Sequence, residues 1–167
     1  MTRFLLFVIF FILTLAAEWA MGRFLGIFGV SPPLAAAFTI IWGQSDSLIP
    51  RLLRQAGAGL IIDSVSSLSF GSYTVSLIFA GITISFLRFT LSDPGGFFKK
   101  NLISTAGLFI FIVSVFTVSV PFTYLAGLIT APLSIAHIKI LAAGILWAPI
   151  LALIFNYLLL TLPKRLR

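Results

Sequence analysis

The stretch Ala56-Gly57-Ala58-Gly59-Leu60-Ile61-Ile62-Asp63 places a carboxylate directly behind an apolar run of small and branched residues. Ser64, Ser66 and Ser67 follow it. An ionised carboxylate in the middle of a bilayer costs roughly 2.5–3.5 kcal/mol on insertion scales, so Asp63 is expected to face protein or water and not lipid. This stretch therefore predicts a membrane helix with one polar seam.

The composition of the whole chain supports a bilayer environment. Hydrophobic residues make up 60% of the 167 residues and charged residues only 9%, whereas a soluble domain has about 25% charged residues. The mean hydropathy is +1.18. Because each membrane helix needs about 20 residues, we expect residues 1–167 to form a single polytopic membrane domain.

Six apolar runs separated by turn signals predict an all-α membrane protein with six transmembrane helices. The predicted spans are 4–21, 34–48, 52–68, 73–91, 102–120 and 140–162, the last kinked at Pro149. The second run is interrupted by Gly43-Gln44-Ser45-Asp46-Ser47, so a short tilted helix or a re-entrant segment is the alternative to a full crossing. Prolines in 121–139 predict a loop or a short interfacial helix there.

Basic residues test this number of spans, because they concentrate in cytoplasmic loops. With six spans and a cytoplasmic N-terminus, Arg23 and Lys139 lie outside, and the other nine basic residues lie inside. Those nine are Arg3, Arg51, Arg54, Arg88, Lys99, Lys100, Lys164, Arg165 and Arg167. The bias predicts that both termini are cytoplasmic. A cleaved signal peptide with a site near Ala20-Met21-Gly22 is the alternative interpretation of the first run.

Reactive side chains are few. The chain has no cysteine and one histidine, His137. Its four acids, Glu18, Asp46, Asp63 and Asp93, do not follow metal-ligand spacing, and no nucleophile is placed with a base. We therefore expect no cofactor, no metal and no enzymatic activity. The net charge of +7 comes from scattered basic residues without interleaved aromatics, which favours contact with membrane lipids and not with nucleic acid.

Two acids have regular polar neighbours on their predicted helices. Gly59, Asp63 and Ser66 or Ser67 fall on one face, which would let a neighbouring backbone come close. Asp63 is then either a protonated or hydrogen-bonded packing residue, in which case Asp63→Asn should be tolerated, or a contact for a partner helix or ligand. Glu18 is expected to be solvated at the interface, although a contact across helices is open.

Residues 42–91 resemble the rod shape-determining protein MreD family of bacteria. That family shows a glycine-rich third helix with a Gly-Leu-x-x-Asp core, a turn with Phe-Gly or Leu-Gly, and an apolar fourth helix. The corresponding elements here are Gly59-Leu60-Ile61-Ile62-Asp63, Ser69-Phe70-Gly71 and residues 73–91.

The resemblance implies a non-enzymatic, multi-pass component of the bacterial inner (cytoplasmic) membrane that acts in cell elongation. It implies a single-span partner like MreC and, through that partner, the peptidoglycan synthases and the actin-like MreB filament. The candidates for partner binding or packing are Gly59, Asp63, Ser66, Ser67, Phe70, Gly71 and Glu18.

The family is also similar in topology to the substrate-binding S components of energy-coupling factor vitamin transporters, which is the alternative function. Such a subunit needs a pocket with several convergent polar groups. The predicted outer segments offer few of them, mainly Ser69, Ser72, Tyr73, Thr123, Tyr124 and His137.

Overall fold

The computed structural model describes residues 2–21, 24, 26, 30, 32–66, 70–91, 96–125 and 135–161. Helices are the only regular elements in these segments. They are α1 (Thr2–Met21), α2 (Leu34–Trp42), a short 3-10 helix (Gly43–Ser45), α3 (Leu48–Val65), α4 (Ser72–Thr90), α5 (Phe97–Leu125) and α6 (Ile135–Thr161).

Four of these helices are long and apolar enough to cross a bilayer. The apolar stretches are Arg3–Ala20 in α1, Ser72–Thr90 in α4, Phe97–Val118 in α5 and Leu141–Thr161 in α6. The described part of the chain is therefore an all-α membrane protein. The six spans predicted from the sequence are not matched by six such helices, since α3 carries three charged residues within its 18 positions and α2 is too short.

The second predicted span differs most from the structure. Residues 34–48 form no membrane-length helix, because α2 has nine residues and rises only about 13 Å against a hydrocarbon core of about 30 Å. The polar run from Gly43 turns first into the 3-10 helix and then into extended backbone at Asp46. The short helix that was the alternative prediction describes this segment.

The short helix α2 lies at the centre of the molecule. Every residue from Ala35 to Trp42 is buried, and α2 contacts each of the other five α-helices. Three consecutive alanines at its start allow close approach of its neighbours. Further along α2, Phe38 stacks on Phe7 of α1 at a ring-centroid distance of 5.7 Å, and Trp42 packs against the same ring in a tilted arrangement at 6.3 Å. An apolar segment without charges is thus enclosed by longer helices.

Contacts between helix ends show that successive helices run in opposite directions. Glu18, late in α1, contacts Ala35 at the start of α2, while Arg3 at the start of α1 pairs with Asp46 beyond the end of α2. The α2 segment therefore returns the chain to the end of the bundle at which α1 begins, although α2 is short.

The same alternation continues along the chain. Contacts join the end of α3 to the start of α4, the start of α3 to the last third of α4, and the start of α5 to the end of α6. We call the end marked by Arg3, Asp46, Arg51, Arg88, Asn101 and Asn156 the basic end. The opposite end, marked by Glu18, Ala35, Asp63 and Tyr73, is the acidic end.

Several helix boundaries depart from the predicted ones at prolines. Helix α3 begins before Pro50, because proline is tolerated in the first turn, where its missing N–H has no intrahelical acceptor. Helix α5 continues through Pro121 to Leu125, so the start of the predicted loop is helical. Pro149 lies inside α6, and the kink predicted at this position stays a prediction. The predicted loop positions 126–134 lie outside the described residues.

Candidate functional site

Asp63 lies near the end of α3 and caps the start of α4. One carboxylate oxygen accepts the backbone N–H of Tyr73 at 2.9 Å. The other accepts the N–H of Thr74 at 3.0 Å and the Thr74 hydroxyl at 2.6 Å. Gly71, the residue that precedes α4, has no side chain to cap it, so these free N–H groups need an acceptor from elsewhere. Asp63 on the neighbouring helix α3 supplies this acceptor. Its side chain is buried, since the residue is only 4% exposed.

Gly59 lies one turn before Asp63 and brings α3 against α4. A Cβ atom at this position would fall on the Thr74 backbone, closer than any van der Waals contact. Only glycine therefore lets the two helices come near enough for the Asp63 carboxylate to reach the N–H groups of Tyr73 and Thr74. Gly59 and Asp63 therefore form one structural unit at the contact between α3 and α4.

The other candidates of this motif have different positions. Ser66 directly follows α3, and its hydroxyl makes a long contact of 3.4 Å to the Asp63 carbonyl. Gly71 takes a left-handed backbone with φ of 94° at the turn into α4, a conformation that favours glycine. Phe70 beside it is 72% exposed. Ser67 lies outside the described residues.

Glu18 performs for α2 the function that Asp63 performs for α4. Its carboxylate accepts the backbone N–H of Ala35 at 3.0 Å, and Pro33, which precedes α2, provides no side-chain cap. The expected solvation at the interface is therefore replaced by a contact across helices. A negative charge at this place also interacts favourably with the positive end of the α2 dipole.

Arg51 caps the C-terminal end of α2. Its guanidinium donates to the carbonyls of Gly43 at 2.8 Å and Gln44 at 3.2 Å, to the Asp46 carbonyl, and to the Ser85 hydroxyl of α4 at 2.6 Å. The side chain is only 1% exposed. Carbonyl groups at a helix C-terminus lack intrahelical donors and carry partial negative charge. A buried arginine therefore satisfies the end of α2 from the neighbouring helix.

Four further charged residues, one acidic and three basic, surround this point. The Asp46 carboxylate forms ion pairs with Arg3, at 3.5 Å, and with Arg54. Arg88 donates to the carbonyls of Gln44, at 2.7 Å, and Asp46, at 3.1 Å. The carbonyls that follow α2 therefore bind the Arg88 guanidinium.

A chain of polar side chains continues from this cluster into α5 and α6. Gln44 donates to the carbonyl of Lys100 at 2.9 Å and lies 3.4 Å from the Ser104 hydroxyl. Asn156 of α6 donates to Ser104 at 2.9 Å and to Asn101 at 2.8 Å. Ser104 connects Gln44 with Asn156, so hydrogen bonds join the 3-10 helix, α5 and α6 at the basic end of the bundle.

The site residues therefore cap helix ends or form hydrogen bonds and ion pairs between helices. In the segments that the structure describes, no three histidine or acidic side chains come together as metal ligands. Comparisons of the chain with protein-family models, with curated proteins and with solved structures return no match. A functional assignment thus depends on these contacts and on the resemblance of residues 42–91.

Sequence reasoning singled out Asp63, Gly59 and Glu18 but missed Arg51 and Gln44. The bias of basic residues places Arg51 on the cytoplasmic side, between the second and third predicted spans. The interruption of the second apolar run at Gln44 was visible, and it indicated a break in the helix. The Gln44 carbonyl accepts hydrogen bonds from Arg51 and Arg88 only because α3 and α4 pack against this break.

Proposed function

We propose that this chain is a non-enzymatic component of the bacterial inner membrane that acts in cell elongation by binding an MreC-like single-span protein. Through that partner it would act on the peptidoglycan synthases and the MreB filament. The proposal starts from the resemblance of residues 42–91 to the MreD family and applies it to this chain.

The observation that carries the proposal is the hairpin of α3 and α4. The residues that define the resemblance are the ones that shape this hairpin. Gly59 permits the close approach, Asp63 caps α4, and Gly71 makes the turn. Gly59, Asp63 and Gly71 each have a structural purpose in this hairpin. This supports a shared fold unit better than it supports a chance match of common membrane residues.

The contacts of the acids favour a binding role over catalysis. Asp63 and Glu18 both accept hydrogen bonds from backbone N–H groups, and Asp46 pairs with two arginines. A general base needs a carboxylate that can reach a substrate proton. Carboxylates bound in this way are positioned to hold helices together.

The same contacts favour the elongation role over the vitamin-binding alternative. A ligand entering from the acidic end would need polar groups that converge on it. The two described acids there, Glu18 and Asp63, already cap α2 and α4, and Thr74 donates its hydroxyl to Asp63.

Co-expression in a bacterial host tests the proposal. The affinity-tagged chain is produced with an MreC-like protein in one strain, and with the ATPase and coupling subunits of an energy-coupling factor transporter in another. We expect the MreC-like protein to comigrate with the chain after solubilisation in detergent. An unrelated single-span protein with the same tag serves as the control. Comigration with the ATPases, together with a vitamin found by mass spectrometry, would replace this proposal by the alternative.

A further inference from the structure

The first turn of α5 forms an exposed patch with both aromatic and basic side chains. Phe97 is 42% and Phe98 81% exposed, Lys99 is exposed, and Lys100 is partly buried. The patch lies at the basic end, since the Lys100 carbonyl accepts a hydrogen bond from Gln44. We call residues Phe97, Phe98, Lys99 and Lys100 the α5 patch.

Lys99 and Lys100 are two basic residues of the basic end whose charge no acidic side chain of the described residues neutralises. Six basic residues and one acid give the described basic end a charge of 6 − 1 = +5; they are Arg3, Arg51, Arg54, Arg88, Lys99, Lys100 and Asp46. The arginines pair with Asp46 or donate to carbonyl groups. Lys99 and Lys100 have no ion-pair partner among the described residues, and the first turn of α5 contains no acid.

The aromatic rings fix the depth of this patch. Phe86 and Phe89, near the end of α4, are 66% and 88% exposed, so apolar rings extend from the last turns of α4 to the first turn of α5. Because rings of this kind prefer lipid and ammonium groups prefer water or phosphate, such a combination is stable at the boundary of the hydrocarbon core. Lys99 and Lys100 then lie at the level of the headgroups.

We propose that the α5 patch binds an anionic phospholipid, with Lys99 and Lys100 contacting the headgroup phosphate and Phe97 and Phe98 packing against the acyl chains. A free phosphate ion would use the lysines but not the exposed rings. A phospholipid satisfies both, and a charge near an anionic membrane surface contributes about 1 kcal/mol per lysine, which is about fivefold in affinity. This inference is independent of the proposed role in cell elongation.

Native mass spectrometry of the purified full chain tests the inference. Phosphatidylglycerol and phosphatidylcholine with the same acyl chains are titrated into the detergent-solubilised protein, and the bound fraction is measured. We expect phosphatidylglycerol to bind more tightly. The double variant Lys99→Gln/Lys100→Gln should lose about fivefold in affinity for each lysine removed, and Lys99→Arg/Lys100→Arg should keep the preference.

Lys139 provides the matched control. It is also an exposed lysine, but it lies seventeen positions before Asn156 on α6, which puts it roughly 25 Å away towards the acidic end. Lys139→Gln should leave phosphatidylglycerol binding unchanged. The inference is overturned if the two lipids bind equally well, if Lys139→Gln weakens binding as much as the double variant, or if millimolar inorganic phosphate displaces the lipid.

Discussion

At the scale of single residues, the charged side chains inside this membrane protein serve as caps for helices other than their own. Asp63 and Glu18 accept N–H groups at the starts of α4 and α2. Within a bilayer, an unsatisfied backbone group has no water to bond and costs several kcal/mol. A carboxylate that receives such donors therefore removes two costs together, its own desolvation and that of the helix end.

The contacts of Asp63 predict the effect of replacing it by asparagine. The Asp63 carboxylate is the acceptor in all three of these hydrogen bonds. An asparagine side chain would turn its NH₂ group, which is a donor, towards at least one of the three donors. We therefore expect Asp63→Asn to destabilise the protein by about 1–3 kcal/mol, the cost of a buried unsatisfied donor. Tolerance of asparagine, as expected from the sequence, assumed a neutral side chain.

Thermal unfolding in detergent, followed by size-exclusion chromatography, measures this effect. Ser64→Ala is the control, since Ser64 is the exposed neighbour and its hydroxyl donates to the Ile61 carbonyl of its own helix. A melting temperature of Asp63→Asn equal to that of Ser64→Ala would contradict the capping role.

At the scale of elements, α2 is a half-length helix closed at both ends by other helices. Glu18 of α1 bonds its first turn, while Arg51 of α3 and Arg88 of α4 bond the carbonyls that follow its last turn. Broken helices in membrane proteins often direct such ends at ions or substrates. Here the described ends of α2 are bound by side chains of the same chain.

This arrangement predicts unequal roles for two arginines one turn apart on α3. Arg51 is 1% exposed and uses the planar geometry of its guanidinium to reach several acceptors. Lysine keeps the charge but cannot contact them together. We expect Arg51→Lys to lower stability by about 3–5 kcal/mol, as when one partner of a buried charged contact is removed.

Arg54→Lys is the matched control for this substitution. Arg54 is partly exposed and pairs with Asp46. Replacing its planar guanidinium by an ammonium group should therefore lower the stability by at most about 1 kcal/mol. Chemical denaturation of both purified variants measures the difference. Equal stability of Arg51→Lys and Arg54→Lys would show that the guanidinium does not hold the end of α2.

At the scale of the whole molecule, alternating helix directions separate the charges. The described basic residues Arg3, Arg51, Arg54, Arg88, Lys99 and Lys100 lie at one end, and Lys139 lies towards the other. The predicted bias of nine against two also includes Arg23, Lys164, Arg165 and Arg167, which lie outside the described residues. The alternation holds although α2 is short, because the polar residues after it complete the return of the chain.

Cysteine labelling tests both the alternation and the predicted cytoplasmic position of the termini. The chain has no cysteine of its own, so Phe70→Cys, Lys139→Cys and Phe98→Cys each introduce a single thiol at an exposed position. In intact cells, a membrane-impermeant maleimide should label the first two, while the third should react only after the membrane is opened. The unmodified chain is the control.

The reversed labelling pattern would place the basic end outside and overturn the predicted orientation. Labelling of Phe70→Cys and Phe98→Cys from the same side would contradict the alternating directions themselves. These two outcomes are distinct, because the first depends on insertion into the membrane and the second only on the fold.

The sequence alone determined the membrane character of this protein, the approximate positions of α1, α4, α5 and α6, and the need for Asp63 to face protein or water and not lipid. Hydrophobic runs and charge placement carry this information locally. Only the tertiary structure decided that α2 is a buried half-length helix, that Arg51 is enclosed, and which helix ends each charge caps. Those contacts join residues as far apart as Gln44 and Arg88, 44 positions along the chain. A backbone N–H or carbonyl at a helix end can bind a charged side chain only where the fold places that end beside the helix that carries the side chain. No local sequence pattern specifies this placement.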